Sequence, residues 1–224
     1  ESRHLCGSLR ARAGDIVDVF DAKGNAYRCE LAEASSKSAA LRVIGRLYPK
    51  SPDVEVYLAQ CLPKGPAFDE IIRQSVELGV SGIYPLMSCR SVVRIGRADA
   101  EKKSAKWFEK YVEAIKQSSN LSKFEMPLVS DLSDFLSNSG GFGVKLVASL
   151  RANASPIYKV LTSAGVDFAK SACVLIGPEG DLSDAEYDAA ERAGFIPVKL
   201  GDNVMKCDTA AACALSVLKA FWQK

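Results

Sequence analysis

Two glycine turns hold the residues best placed for chemistry. The first, Gly177-Pro178-Glu179-Gly180, follows the apolar run Cys173-Val174-Leu175-Ile176. The second, Gly201-Asp202-Asn203, follows residues 195–200, which end in Leu200, and leads through Met205 and Lys206 to a helix start near Asp208-Thr209-Ala210. Proline fixes φ, while glycine tolerates positive φ and brings no side chain, so a ligand can approach the backbone. Glu179, Lys206 and Asp208 place acids and a base close to helix N-termini. One glycine turn is usually only a connection. Two in series, each with an ionisable residue before the next helix, point to a ligand site at the carboxyl ends of sheet strands. Asp208 also reads as an N-cap of the last helix, and Glu179 as a turn acid.

The elements that carry these turns follow from periodicity. Ser183 with Glu186 three residues later forms a capping box, Leu182 and Tyr187 a hydrophobic staple, and Gly194 a helix stop. Residues 1–50 read as all-β, with strands at 16–20, 26–32 and 39–47 and a turn at 21–25, which suggests a small barrel or sandwich. Pro49-Lys50-Ser51-Pro52 marks a domain boundary. Beyond it the pattern alternates. Strands are expected at 54–61, 82–87 and 144–150. Helices are expected at 67–78, 99–117, 131–136 and 155–164, with Ala105, Phe108, Val112 and Ile115 facing inward from the second. This alternation predicts an α/β domain over 54–224, a parallel sheet covered on both faces.

Composition narrows the class. Apolar residues make up 48% of 224, enough for a substantial core, and the net charge of +2 gives no global polyanion signal. No apolar run reaches membrane-spanning length and no secretory signal precedes the first charges. The chain starts at Glu1 rather than Met, so part of the N-terminus is expected upstream. Seven scattered cysteines without a CxxC pair suit reduced thiols in the cytoplasm, and a single histidine argues against a metal site. His4, Arg10 and Arg12 precede the first strand as a candidate phosphate-contacting rim, the alternative being a solvated face. Residues 90–123, including Arg90, Arg94 and Lys123, hold nine bases against four acids. They read either as the wet face of a helix or as a patch for an RNA backbone. The last helix, with Leu215, Val217, Leu218, Phe221 and Trp222, is apolar on most sides, which predicts burial against a second subunit.

Several motifs together resemble one family. IGPEG…LS…E, then LG, then Lys206-Cys207-Asp208-Thr209-Ala210-Ala211, resembles the cofactor loops of SPOUT-class RNA methyltransferases, and most closely the RsmE family, which makes 3-methyluridine in small-subunit ribosomal RNA. Leu62-Pro63-Lys64-Gly65, Ile71-Ile72 with Glu77-Leu78-Gly79-Val80-Ser81, Arg90-Ser91-Val92-Val93, and Trp107 with Glu113-Ala114 and Gln117-Ser118 are similar to that family in the same order. The start, RHL…LR…GDIVDVFDAKGNAY, resembles its N-terminal PUA-like RNA-binding barrel, whose first strand falls mostly upstream of Glu1. The resemblance implies a trefoil knot within about 144–210 and a homodimer through the C-terminal helix. It also implies S-adenosylmethionine bound by loops around 149–151, 177–182 and 200–210. The cofactor residues would be Leu150, Ile176, Gly177, Pro178, Glu179, Gly180, Leu200, Gly201, Met205, Lys206, Thr209 and Ala210.

The sequence departs from the family pattern at Gln74, Cys89, Lys116, Ser119, Asn120, Asp181 and Met205 to Asp208, which bears on the nucleotide chosen. Methylating a uridine ring nitrogen requires loss of a weakly acidic proton, and a cation beside the resulting anion favours it. Lys206 is the first candidate for that role and Arg90 the second. The expected function is methylation of ribosomal RNA, on free RNA or on the small ribosomal subunit. A non-catalytic RNA-binding relative is the alternative. A dinucleotide-dependent oxidoreductase ranks low, because no GxGxxG follows the first strand after the linker.

Overall fold

The computed structural model describes residues 1–20, 25–48, 52–118, 120, 122–163 and 165–223. Most of the expected turn at 21–25, most of the expected linker and Ser119 lie outside the described residues. The chain divides into two compact units, Glu1–Ser51 with Leu121–Lys123, and Pro52–Asn120 with Phe124–Lys224.

In the first unit, β1 (Ile16–Phe20), β2 (Ala26–Glu33) and β3 (Ala40–Leu47) form an antiparallel sheet in that order. Ala26, Cys29 and Leu31 on the central strand are buried. Register shifts at Arg28/Cys29 and Leu31/Glu33 bend the β2–β3 ribbon. Among the described residues this unit is an open three-stranded sheet. A π-helical turn at His4–Ser8, which the all-β reading did not include, precedes it.

The second unit contains β4 (Glu55–Cys61), α1 (Ala67–Glu77), β5 (Gly82–Met87), α2 (Arg97–Ser118), β6 (Ser130–Asp131) and α3 (Leu132–Asn138). It continues with β7 (Val144–Ala148), β8 (Ser155–Pro156), α4 (Ile157–Leu161), β9 (Ser171–Ile176), α5 (Asp184–Arg192), β10 (Ile196–Lys199) and α6 (Cys207–Trp222). Its seven strands lie in the order β6-β5-β4-β9-β7-β10-β8, and every pairing is parallel. Strand side chains alternate between two cores. Val56, Leu58, Val174 and Ile176 face α1, α2 and α6, whereas Tyr57, Ala59, Cys173 and Leu175 face α3 and α5. Near-continuous burial of β4 and β9 is what a strand covered on both faces requires. Among the described residues, no helix is long and apolar enough to cross a membrane.

Three expectations are corrected. The buried stripe of α2 is Ala100, Trp107, Ala114 and Ile115, while Ala105 and Phe108 face solvent and Val112 is half-buried. The large indole of Trp107 selects that face by packing edge-on against Phe68 of α1, with centroids 4.6 Å apart. The helix expected at 155–164 is shorter, because Ser155–Pro156 pairs as a strand with β10. Third, α6 finds most of its cover within the chain. Ala210, Ala211 and Ala214 let it lie close to the sheet, and Leu215, Leu218 and Trp222 are buried in the same core. Leu218 is fully buried, so it does not form an outward docking face.

Candidate active site

Because all seven strands are parallel, their carboxyl ends share one edge. The loops singled out by the sequence leave β7, β9 and β10, which are adjacent in the sheet. Their spacing is therefore fixed by hydrogen-bonded neighbours rather than by the loops themselves.

The first turn is braced on several sides. Arg90, from the loop after β5, donates from Nη1 to the carbonyls of Gly180 at 3.1 Å and Leu182 at 3.3 Å. Glu179 accepts at Oε1 from the Lys64 backbone N–H at 2.8 Å, which joins the loop after β4 to the loop after β9. A Cβ added at Gly180 would come within 3.3 Å of Arg90 Cβ. Only glycine allows this approach without a shift, which gives Gly180 a steric reason independent of any ligand.

The helix after this turn starts as the sequence predicts. Ser183 and Glu186 form a complete capping box. Glu186 also accepts from the Cys89 backbone N–H at 2.7 Å and from its thiol at 3.0 Å. Burial acts to raise the Glu186 carboxyl, but the hydrogen bonds from Ser183 and Cys89 outweigh it and hold the group below its ordinary value. Cys89 is thus tied to the start of α5.

Asp181 sits in the left-handed region at φ 61°, where side chains are uncommon. Its Oδ1 accepts from the Tyr187 hydroxyl at 2.6 Å and from the Leu182 N–H at 2.8 Å. The same hydroxyl lies 3.4 Å from the carbonyl of Ala148, the last residue of β7. Burial, then the nearby Asp181 carboxylate, raises the Tyr187 phenol well above its usual range, so it remains a donor. Beyond β7, Ser149 N–H donates to the Val198 carbonyl at 2.9 Å, tying this loop to β10. Leu150 stands exposed beside it.

At the second turn, Gly201 lies against Met205, whose Cε would be 3.1 Å from an added Cβ. Val204 is largely exposed. Lys206, not Asp208, is the N-cap of α6, without a side-chain cap bond. Asp208 instead closes on the Thr209 N–H at 2.9 Å, inside the first helical turn. Lys206 is exposed, and its ammonium has no partner among the described residues. The Cys207 thiol donates to the Gly177 carbonyl at 3.4 Å, linking the two turns. Burial, then the Glu179 charge, pushes its pKa up to about 11, so it stays a thiol at neutral pH and is no nucleophile.

Other basic candidates lie elsewhere. Arg94 lines a cleft of about 280 Å³ with Lys102, Lys103, Lys106, the acid Asp99, Val93 and Ile95. Arg10 and Arg12 lie before β1 in the first unit. Arg10 is at φ 54°, and Arg12 N–H donates to Asp15 at 2.7 Å. Lys123 belongs to that unit too. Ser149 lies in the loop expected at 149–151, whereas Tyr187 and Lys64 join the loop edge without having been expected there. A non-glycine residue directly after a glycine turn, with a tyrosine six positions on, was the available signal for Tyr187.

Residues 49–219 match the model of the RNA methyltransferase domain, and residues 1–44 that of the RNA methyltransferase PUA domain. The chain belongs to this RNA methyltransferase family. Among its relatives is the ribosomal RNA small subunit methyltransferase E of Mesomycoplasma hyopneumoniae, 30% identical over 93% of this chain and 87% of that protein. The Bacillus subtilis protein of the same name is 28% identical over 97% and 86%. The solved ribosomal RNA small subunit methyltransferase E from Neisseria gonorrhoeae, bound to S-adenosylmethionine, superposes with a TM-score of 0.83 at 25% identity. That match covers 98% of this chain and 89% of that one. A putative methyltransferase from Legionella pneumophila, in complex with the same cofactor, gives 0.82 at 26% identity over 98% and 88%.

Proposed function

We propose that this chain uses S-adenosylmethionine to methylate ribosomal RNA of the small subunit, at the N3 position of a uridine. The observation that carries this reading is the set of three loops on adjacent strands β9, β7 and β10, two of them glycine turns. The residues suit that cofactor. Exposed Leu150 and Val204 and half-buried Leu200 and Met205 offer apolar surface, and the glycine turns offer backbone groups. The acids Glu179 and Asp208 suit a sulfonium. Bound there, the cofactor supplies an electrophilic methyl group.

The chain's own residues do the rest. Glycine turns present N–H and C=O groups to the adenosine without obstruction. Arg90 and Glu179 hold the first turn in shape before any ligand arrives, which lowers the ordering cost of binding. Lys206, a cation without a partner among the described residues, stands between the second turn and α6 and stabilises the uridine anion as its ring proton passes to bulk solvent.

The remaining parts follow the same reading. Residues 1–50 form the RNA-binding domain and 54–224 the methyltransferase domain, with the knot within about 144–210. Arg10, Arg12, Arg90, Arg94 and Lys123 contact RNA, and the lysines around Arg94 give its cleft the charge for a phosphate backbone. A second copy packs on the half-buried side of α6, at Ala212, Cys213 and Val217. The chain works where ribosomal subunits are made, in the cytoplasm. Calorimetric titration with S-adenosylmethionine tests the reading: one site per chain is expected, and no heat of binding at millimolar cofactor contradicts it.

A further inference from the structure

Asp181 and Tyr187 form a closed arrangement that the fold alone does not demand. Among the described residues only Arg10 and Asp181 are non-glycine residues with positive φ. The left-handed region is costly for most L-residues, and aspartate tolerates it through hydrogen bonds of its own side chain, here from the Leu182 N–H at 2.8 Å and from Tyr187. The turn is closed by Asp181 N–H donating to the Pro178 carbonyl at 2.9 Å. Its side chain then accepts the Tyr187 hydroxyl at 2.6 Å. Tyr187 itself cannot wander. It is 2% exposed, its ring packs in the α5-side core, and the Arg151 guanidinium lies 5.4 Å over its face. Arg151 is in turn held by Asp188 at 2.9 Å, with Glu191 and Asp184 within 4 Å. Arg151 belongs to the loop after β7, and the Tyr187 hydroxyl also lies near the carbonyl of Ala148 at the end of that strand. One tyrosine thus joins the turn after β9 to the loop after β7.

We propose that the Asp181–Tyr187 hydrogen bond is a latch that presets the 177–182 turn for the cofactor, with Tyr187 as a positioning residue that never touches it. The inference rests on the cofactor reading above. Its logic is conditional: the latch is needed because residue 181 carries a side chain. Glycine at 181 would occupy the same φ without help, so the tyrosine hydroxyl would then become dispensable.

Four proteins test this: wild type, Tyr187→Phe, Asp181→Gly and the double variant. Two readouts are used, hydrogen exchange at 178–183 without ligand and calorimetric affinity for S-adenosylmethionine. Tyr187→Phe keeps the buried ring. It should speed exchange in the turn about tenfold and weaken cofactor affinity about tenfold, the scale of a lost hydrogen bond to a charged group. KM for the cofactor should rise with kcat at saturation nearly unchanged. Asp181→Gly should stay within about threefold of wild type, and adding Tyr187→Phe to it should change nothing further, a non-additivity that a merely structural tyrosine would not give. Asp181→Ala, at a loop position outside the core, should match the loss in Tyr187→Phe and covers the case in which that variant folds poorly. Wild-type exchange and affinity in Tyr187→Phe, or a double variant as weak as Tyr187→Phe alone, overturns the latch. Faster exchange in Tyr187→Phe together with a wild-type chain that binds no cofactor supports the latch and overturns the cofactor reading instead.

Discussion

The backbone N–H of Lys64 donates to the carboxylate of Glu179 at 2.8 Å across 115 positions of sequence. The bond joins the loops after two neighbouring strands, β4 and β9, at the edge where the candidate site lies. Glu179 therefore has a role in shaping the turn, whatever it also offers a ligand.

Glu179→Ala should release the Lys64 loop and weaken S-adenosylmethionine binding, by about fivefold to twentyfold if one charge-assisted hydrogen bond is lost. Gly180→Val should be more severe, since its side chain would push into Arg90 before it reached any ligand. Titration of both variants checks the order. Wild-type affinity in Gly180→Val would remove this turn from the cofactor site.

Lys206→Ala should slow methyl transfer about a hundredfold or more. A cation about 4 Å from the developing anion, at an effective dielectric near 20, supplies roughly 3–4 kcal/mol, and each 1.36 kcal/mol is tenfold in rate. Lys206→Arg should keep most of the activity, and cofactor affinity should change by less than about threefold in both. Single-turnover methylation beside cofactor titration separates the two effects. If Lys206→Ala instead loses cofactor binding, the lysine belongs to the binding pocket.

The proposed dimer calls for a different variant from the one α6 first suggests. Leu218→Glu would bury a charge in the chain's own core and unfold it. Val217→Glu lies on the half-buried side and should split the dimer while keeping the fold. Sedimentation at micromolar concentration should give a dimer for wild type and a monomer for Val217→Glu. A monomeric wild type contradicts the arrangement.

Glu186 predicts acid sensitivity at the Cys89–Ser183 junction. Its folded pKa lies below the ordinary value, so its contribution to stability is complete above the unfolded pKa of about 4.3. It is lost as pH falls through the depressed folded value. Stability of wild type should decline more steeply below about pH 4.3 than that of Glu186→Gln. Parallel pH profiles for the two proteins would refute the assignment.

The strands and loops of the site were legible because their signals are local. Cys173 to Ile176 is short and apolar enough for a buried strand, and Ser183 with Glu186 announces its own helix. The cross-links were not legible. Arg90 meets Gly180 and Lys64 meets Glu179 only because β5, β4 and β9 are adjacent, and sheet order is not written in spacing. The face of α2 was misread because Phe108 and Trp107 are both large and apolar, and only the position of Phe68 decides between them. At α6, apolar content was correctly seen, but the small residues Ala210, Ala211 and Ala214 gave no hint of how closely the helix would lie on its own sheet. Asp208 looked like a cap because its residue type favours one. The helix starts at Cys207 with Lys206 as its N-cap, two residues earlier than a cap at Asp208 would give.

Methyl transfer to the N3 position of a uridine leaves a distinct nucleoside, which mass spectrometry reads. Small-subunit RNA from cells lacking this enzyme, supplied free or in isolated subunits, is incubated with the chain and isotopically labelled S-adenosylmethionine, then digested to nucleosides. Label is expected in 3-methyluridine, close to one per RNA, and is expected to be lost with Lys206→Ala. Label in another base or in ribose would contradict the uridine assignment. No label from a chain that binds the cofactor would contradict the enzyme itself.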